Sequence, residues 1–227
     1  MERAFNGFRQ EAFDFLLALG FNNNKAYFEE NRQDFVKYVQ DPLLLLAARL
    51  EPLMQRINPQ LVTLPRRTIS RIHRDTRFSP DKTPYRNHMW ISYKYEGESI
   101  GEGCGYYFEI NPDGYSYGMG MYGPQKERMD DLRRRILANP AKMIHTFTDE
   151  TVTDWFTLRG EDYKKKVPGE EEAPKELLGI YRKRSFYYEH GGGIDDTVKS
   201  ANVAEEVEKG FTTLAPIYKT LNKLDQT

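Results

Sequence analysis

An α+β fold, with a central antiparallel sheet packed by helices from both the N- and C-terminal thirds, is predicted by three features of this 227-residue sequence. Apolar residues recur every three to four positions in the first quarter, every second position in the middle, and at helical spacing again afterwards. Glycine, proline and asparagine mark the changes. Helices followed by strands followed by helices segregate into separate layers, unlike the alternation that builds a parallel sheet.

In the first segment Phe8, Ala12, Phe15, Leu16 and Leu19 form one stripe that stops at Gly20, as an amphipathic helix ended by glycine should. Asn22-Asn23-Asn24 offers N-caps for a second helix carrying Tyr27, Phe28, Asn31, Phe35 and Tyr38. Asp41-Pro42 has the form of a cap followed by proline at the first helical position, and so opens a third helix through Leu43, Leu46, Ala47 and Leu50 that Pro52 should kink or restart. Strands follow: Met89, Ile91, Tyr93 and Tyr95 alternate with Trp90, Ser92 and Lys94, then Cys104, Tyr106, Phe108 and Ile110 with Gly105, Tyr107 and Glu109, and Tyr115, Tyr117, Met119 and Met121 with Ser116, Gly118 and Gly120. Asn111-Pro112-Asp113-Gly114 joins the last two as a hairpin, and a further strand is expected around 68–73. Helices are expected again over 125–137 and after the Asn139-Pro140 cap, with a surface loop over 164–174, a hinge at Gly191-Gly192-Gly193, and a last helix through Val203, Val207, Phe211 and Leu214 in which Pro216 makes a kink. One domain over 1–227 is expected: helices over about 8–57, sheet over about 66–122, helices and loops over about 125–226.

Composition excludes several classes of function. The 33 Lys and Arg against 34 Asp and Glu leave a net charge of −1, which rules out a globally basic nucleic-acid coat and an acidic disordered tail. Thirteen Phe, 15 Tyr and 2 Trp carry more large apolar surface than disordered chains do. The single Cys104 cannot close an internal disulfide, and with four histidines it does not make a zinc site of familiar spacing, so a reducing compartment and no metal are expected. The first residues have no apolar leader, and the longest apolar run, Leu43 to Ala48, is far below the ~20 residues that cross a bilayer. A cytoplasmic protein with no membrane partner is the expectation. Gly101-x-Gly103-x-Gly105 precedes a strand, so it lacks the helix N-terminus that lets a glycine loop hold phosphate, and no cofactor is expected.

The near-neutral total conceals one basic segment. Residues 66–88 hold seven cations, Arg66, Arg67, Arg71, Arg74, Arg77, Lys82 and Arg86, against Asp75 and Asp81; that is +5, so the rest of the chain carries −6. Arginine forks bind phosphate or carboxylate bidentately, and the prolines around Ser79-Pro80-Asp81-Lys82 stiffen the loop that carries them. Arg71, Arg74, Arg77 and Lys82 are therefore candidate anion ligands, with Phe78, Tyr85, Trp90 and Tyr107 as candidate stacking or covering groups. Beside that stands the alternative that the arginines pair with the chain's own carboxylates and latch the loop. On the second sheet face Trp90, Tyr107, Glu109 and Tyr122 stand among Gly105, Ser116, Gly118 and Gly120, which leaves room for a planar or sugar-like ligand unless Tyr107 covers Gly118 across the hairpin.

The run from Arg74 to Tyr85, Arg-Asp-Thr-Arg-Phe-Ser-Pro-Asp-Lys-Thr-Pro-Tyr, resembles the signature of the conserved hypothetical proteins known as domain-of-unknown-function family 2461. Phe5-Asn6-Gly7-Phe8, the 19–28 segment, Tyr107-Phe108-Glu109-Ile110, Gly118-Met119-Gly120, Lys165-Lys166-Val167-Pro168-Gly169, Leu177-Leu178 and 183–186 are similar to it in order and spacing. The resemblance implies a single α+β domain and brings no activity, cofactor or catalytic residue. One departure is the acidic Glu170-Glu171-Glu172 after Gly169.

Three functional readings follow from the residues. The first is an anion-binding protein for a small phosphorylated ligand, with long nucleic acid disfavoured by the −6 remainder. The second is a hydrolase-type enzyme with Glu109, Asp75 or His73 as acid or base and the arginines stabilising developing charge. The third is a structural or interaction protein in which the motif satisfies itself.

Overall fold

A computed structural model describes residues 4–98, 101–124 and 126–224. The chain is α+β, and its strands form one five-stranded antiparallel sheet of order β1-β2-β3-β5-β4. These are β1 (Met89–Tyr93), β2 (Gly105–Asn111), β3 (Gly114–Met121), β4 (Thr157–Arg159) and β5 (Phe186–Gly192). Two compact units divide the chain: Met1–Tyr93, Tyr107–Tyr117 and Gly191–Glu208 make the first, and Lys94–Tyr106, Gly118–His190 and Lys209–Thr227 the second.

In the first unit α1 (Gln10–Phe21) buries Ala12, Phe15, Leu16 and Leu19 of the predicted stripe and also Phe13, while the buried Phe8 precedes the helix, which runs one residue past Gly20. Asn24 caps α2 (Lys25–Glu30) by accepting from the Tyr27 amide at 3.0 Å. The next stretch differs from expectation. A short α3 (Arg32–Asp34) runs through a wider π-helical turn, Phe35–Gln40, directly into α4 (Asp41–Ile57), so Asp41 lies within helical backbone and does not open a new helix. Pro42 has no amide to donate and its ring crowds the carbonyl four residues back, and the wider turn falls immediately before it. Pro52 does not restart the helix either, because Leu50, Leu53, Met54 and Ile57 around it are buried and packing holds the backbone in line. Phe8 stacks on Phe108 at 5.7 Å, and the buried Tyr93 donates its hydroxyl to the Ala47 carbonyl at 3.2 Å, tying α4 to β1. The predicted strand over 68–73 is instead a helical turn, α5 (Pro65–Thr68), followed by isolated bridges Ile69↔Ile91 and His73↔Tyr85.

The second unit contains α6 (Lys126–Ala138), α7 (Pro140–Phe147), α8 (Glu150–Thr153), and a 3-10 turn Lys175–Leu177 leading into α9 (Leu178–Tyr181). The predicted start at Gln125 lies outside the described residues. Asn139 caps α7 through the Lys142 amide at 3.3 Å. The last helix, α10 (Asn202–Leu221), contributes residues to both units and continues through Pro216. Tyr106 packs on Phe211 and Tyr218, 4.8 and 5.0 Å between ring centroids.

β4 and β5 are additions to the predicted sheet, paired Thr157↔Glu189, Leu158↔Tyr188 and Arg159↔Tyr187. They overturn the expectation of an open floor above Gly118 and Gly120. A β-carbon at Gly118 would overlap the Tyr188 carbonyl oxygen, and one at Gly120 would overlap the Tyr187 Cα, so β5 backbone fills that space. Gly118→Ala is expected to lower stability by ~3 kcal/mol or more in urea melts, since the neighbour it meets is backbone. Gly123→Ala, with nothing within 4 Å, should stay within about 0.5 kcal/mol of the parent.

Candidate functional site

The basic motif belongs to the first unit, and its base is a short antiparallel ladder. Ser70 donates its amide to Trp90 O at 2.8 Å, Arg86 to Ile72 O at 2.9 Å, and Arg74 to Pro84 O at 2.8 Å. The ladder is interrupted because Pro84 offers only a carbonyl and because Trp90 gives its amide to the Ser70 hydroxyl, at 3.0 Å, in place of a backbone acceptor. Residues 74–84 loop out beyond the ladder, closed by the Arg74–Pro84 rung.

Tyr85 anchors the loop. Its ring is buried and stacked on Phe28 at 4.3 Å, with His73 5.0 Å away. Asn23 clamps its backbone from both sides: the side-chain amide donates to Tyr85 O and its oxygen accepts from Tyr85 N, each at 2.9 Å. Arg86 reaches back to the carbonyls of Arg71, at 2.8 Å, and of His73. Its guanidinium lies 5.1 Å from the centroid of Trp90, whose other neighbour is His88 at 5.5 Å. Burial, then the Arg86 charge, pushes the His88 imidazole down. The Trp90 indole N–H is buried and has no acceptor among the described residues.

Most remaining cations of the loop are held by the loop itself. Arg74 donates to Asp81 and to the Thr83 hydroxyl. Asp81 also accepts from the Thr83 amide at 2.9 Å and its hydroxyl at 2.8 Å. Arg77 forks onto Asp75 at 2.9 and 2.7 Å, adds its own amide at 3.2 Å, and lies 5.7 Å from the ring of Phe78, which is 93% exposed. Lys82 donates to Thr76 O at 2.9 Å. The Arg77 side chain first, then its amide, draws the Asp75 carboxyl down to about 2, and the Arg74 guanidinium followed by Thr83 does the same to Asp81, also to about 2.

Arg66 and Arg71 differ. Their guanidinium groups have no hydrogen-bond or ion-pair partner among the described residues, and both line a groove of about 550 Å³ together with Arg32, His73, Phe28 and Phe35. Arg32 is occupied by Glu29, at 2.9 and 2.7 Å, and Asp41 is the carboxylate in the groove wall. Of the candidate acid–base group, His73 lines this groove; Asp75 is held in the loop and Glu109 belongs to β2, and neither lines it. Glu109 and Tyr107 are half-buried on the face of β2 opposite Phe108 and Ile110. Tyr85 is packed in the core, Trp90 is half-buried with Arg86 and His88 against its ring, Phe78 projects from the loop, and Arg71 alone of the predicted anion ligands reaches the groove. Two contributors escaped the sequence reading. Asn23 sits in a triplet that reads as capping residues, and Arg66 stands out only once its lack of a partner is seen.

No group of three or more His, Cys, Asp or Glu able to hold a metal occurs among the described residues, and no described helix is long and apolar enough to cross a membrane. The fold and site define an α+β protein whose arginine-rich loop is folded on its own carboxylates beside a basic groove. The chain belongs to the family of conserved hypothetical proteins DUF2461, whose model matches residues 11–219 of the 227. A comparison with curated proteins finds no match.

The ion pairs predict a definite acid response. A carboxyl whose folded-state pKa lies below its ordinary value of about 3.9 stabilises the fold above that pH, and the contribution is lost as pH falls from about 4 through about 2. Carbon-detected NMR titration should find Asp75 and Asp81 with midpoints near 2. In Arg77→Ala the Asp75 midpoint should return to the ordinary range while Asp81 stays low; an Asp75 that titrates normally in the parent would contradict the geometry.

Proposed function

We propose that the protein binds a small phosphorylated ligand in the groove flanking the motif, with Arg71 and Arg66 gripping the phosphate and His73 adding a further donor at the same wall. The observation that carries this reading is that two arginines of a +5 segment, Arg66 and Arg71, line one groove without partners of their own, while Arg74, Arg77 and Lys82 are engaged within the loop. Guanidinium forks match phosphate oxygens in pairs, and such charge-assisted bonds are stronger than neutral ones. The loop residues then act as a latch that sets the position of 69–73, the strip carrying Arg71 and His73. A small ligand is favoured over a long polyanion because Arg74 and Arg77, outside the groove, are paired with carboxylates and the rest of the chain carries −6.

Calorimetric titration with inorganic phosphate and then with nucleoside monophosphates tests the proposal. Each lost charge-assisted bond is worth about 1.5–3 kcal/mol, so Arg66→Ala/Arg71→Ala should weaken binding by more than about tenfold. Affinity in the parent should fall as salt rises, and Arg77→Ala should leave it within about twofold, because that arginine is exposed and paired outside the groove. Affinity unchanged in the Arg66/Arg71 variant, or lost equally in Arg77→Ala, removes the groove from consideration.

A further inference from the structure

A second cavity lies wholly within the second unit, and we propose that it binds a small amphipathic carboxylate, a ligand with an apolar body and a single negative charge. Its volume is about 580 Å³, within the range that holds small organic ligands. Leu137, Tyr163, Val167, Pro168 and Tyr181 give it apolar walls. Lys126, Arg133, Arg134, Lys165 and Lys166 stand around them, against Asp130 as the lining carboxylate.

The cavity is built around a buried cation. Arg133, on α6, is 5% exposed and donates from Nε to Tyr181 O at 2.9 Å, from Nη2 to Lys183 O at 2.7 Å and from Nη1 to Asp130 at 2.9 Å. Its guanidinium also lies 5.1 Å from the Tyr163 ring and 5.9 Å from that of Tyr181. A guanidinium has five N–H donors, so these bonds leave two. Tyr181 in turn donates its hydroxyl to Pro168 O at 2.9 Å, which closes the 167–169 turn onto the same wall.

The acidic run that follows neutralises one cation of this rim, Lys166, and leaves Lys165. Glu170 is spent on the Val167 amide, at 3.1 Å, and on Arg182, at 3.6 Å, while Glu171 pairs with Lys166 at 3.1 Å. Lys126 pairs with Asp130, and Arg134 with Asp131 at 3.1 Å. Lys165 has neither an ion-pair nor a hydrogen-bond partner among the described residues, and it is the charge left to meet a ligand. Apolar walls disfavour a polyphosphate, which would leave most of its charge uncompensated, and the cationic rim disfavours an amine.

NMR titration of the whole protein with 2-naphthoate, with the isosteric cation 2-naphthylmethylammonium, and with inorganic phosphate tests this. Saturable 2-naphthoate shifts on α6 and 163–169 are expected, with the cation bound at least about tenfold more weakly. Reversing one charge near a ligand changes its energy by a kcal/mol or more, so Lys165→Glu should weaken 2-naphthoate by roughly tenfold. Lys165 is exposed, so the variant should fold, as its amide spectrum will report. Phosphate binding at the first groove should survive Lys165→Glu, and 2-naphthoate binding should survive Arg66→Ala/Arg71→Ala, so the two sites fail independently. Equal binding of anion and cation, shifts elsewhere in the chain, or indifference to Lys165→Glu overturns the proposal.

Discussion

The Asn23 amide on the backbone of Tyr85 is the contact on which the basic motif depends. Pro84, immediately before Tyr85, has no N–H, and a continuous strand partner for 84–90 is therefore out of reach. A side-chain amide presents one donor and one acceptor in a plane, as a neighbouring strand would, and satisfies both Tyr85 groups at 2.9 Å. With the backbone fixed, the Tyr85 ring can be buried against Phe28, and the ladder from Ile69 to His73 falls beside it. The helical layer holds the loop at its base, and the groove lies along the same strip.

Charge is distributed around that anchor with a clear division. Arg86 is committed to main-chain carbonyls, Arg74 to Asp81 and Thr83, Arg77 to Asp75, and Lys82 to the Thr76 carbonyl. The Arg74, Arg77 and Lys82 bonds are short in sequence and close small rings within the loop, so they cost little chain entropy to form. A dense cluster of arginines is thereby reduced to two unpaired ones in the groove. The same logic recurs in the second unit, where the Glu170 and Glu171 side chains fold back on their own loop and leave Lys165. In both places the informative residue is the cation that its neighbours leave unpaired.

Much of the fold can be read from residue spacing, and the departures have physical causes. The alternation at 89–93 and 105–111 reproduces the burial of β1 and β2, whereas β3 is buried at every position from Tyr117 to Met121, and Asn24 and Asn139 cap the helices that follow them. Asp41-Pro42 misleads because proline at the second position suits a helix start as well as a widened turn inside a longer helix. β5 carries a period-two signal in Phe186 and Tyr188, but its glycines read as a hinge; they are small because the backbone of β3 approaches them, Gly191 facing Tyr115 O. β4 is three residues long with no buried face to betray it. For the site, the charge density of 66–88 is visible in composition, whereas the identity of the free arginines is set by where Asp75, Asp81 and Thr83 end up. That is a tertiary fact.

A crystal structure determined from phosphate solution, with residues 66–73 free of lattice contacts, tests the central claim most directly. The account predicts a phosphate held by the Arg66 and Arg71 guanidinium groups, with Arg74 still on Asp81 and Arg77 still on Asp75. A phosphate gripped by Arg74 and Arg77 with their carboxylates displaced, or an empty groove at saturating phosphate, would contradict it.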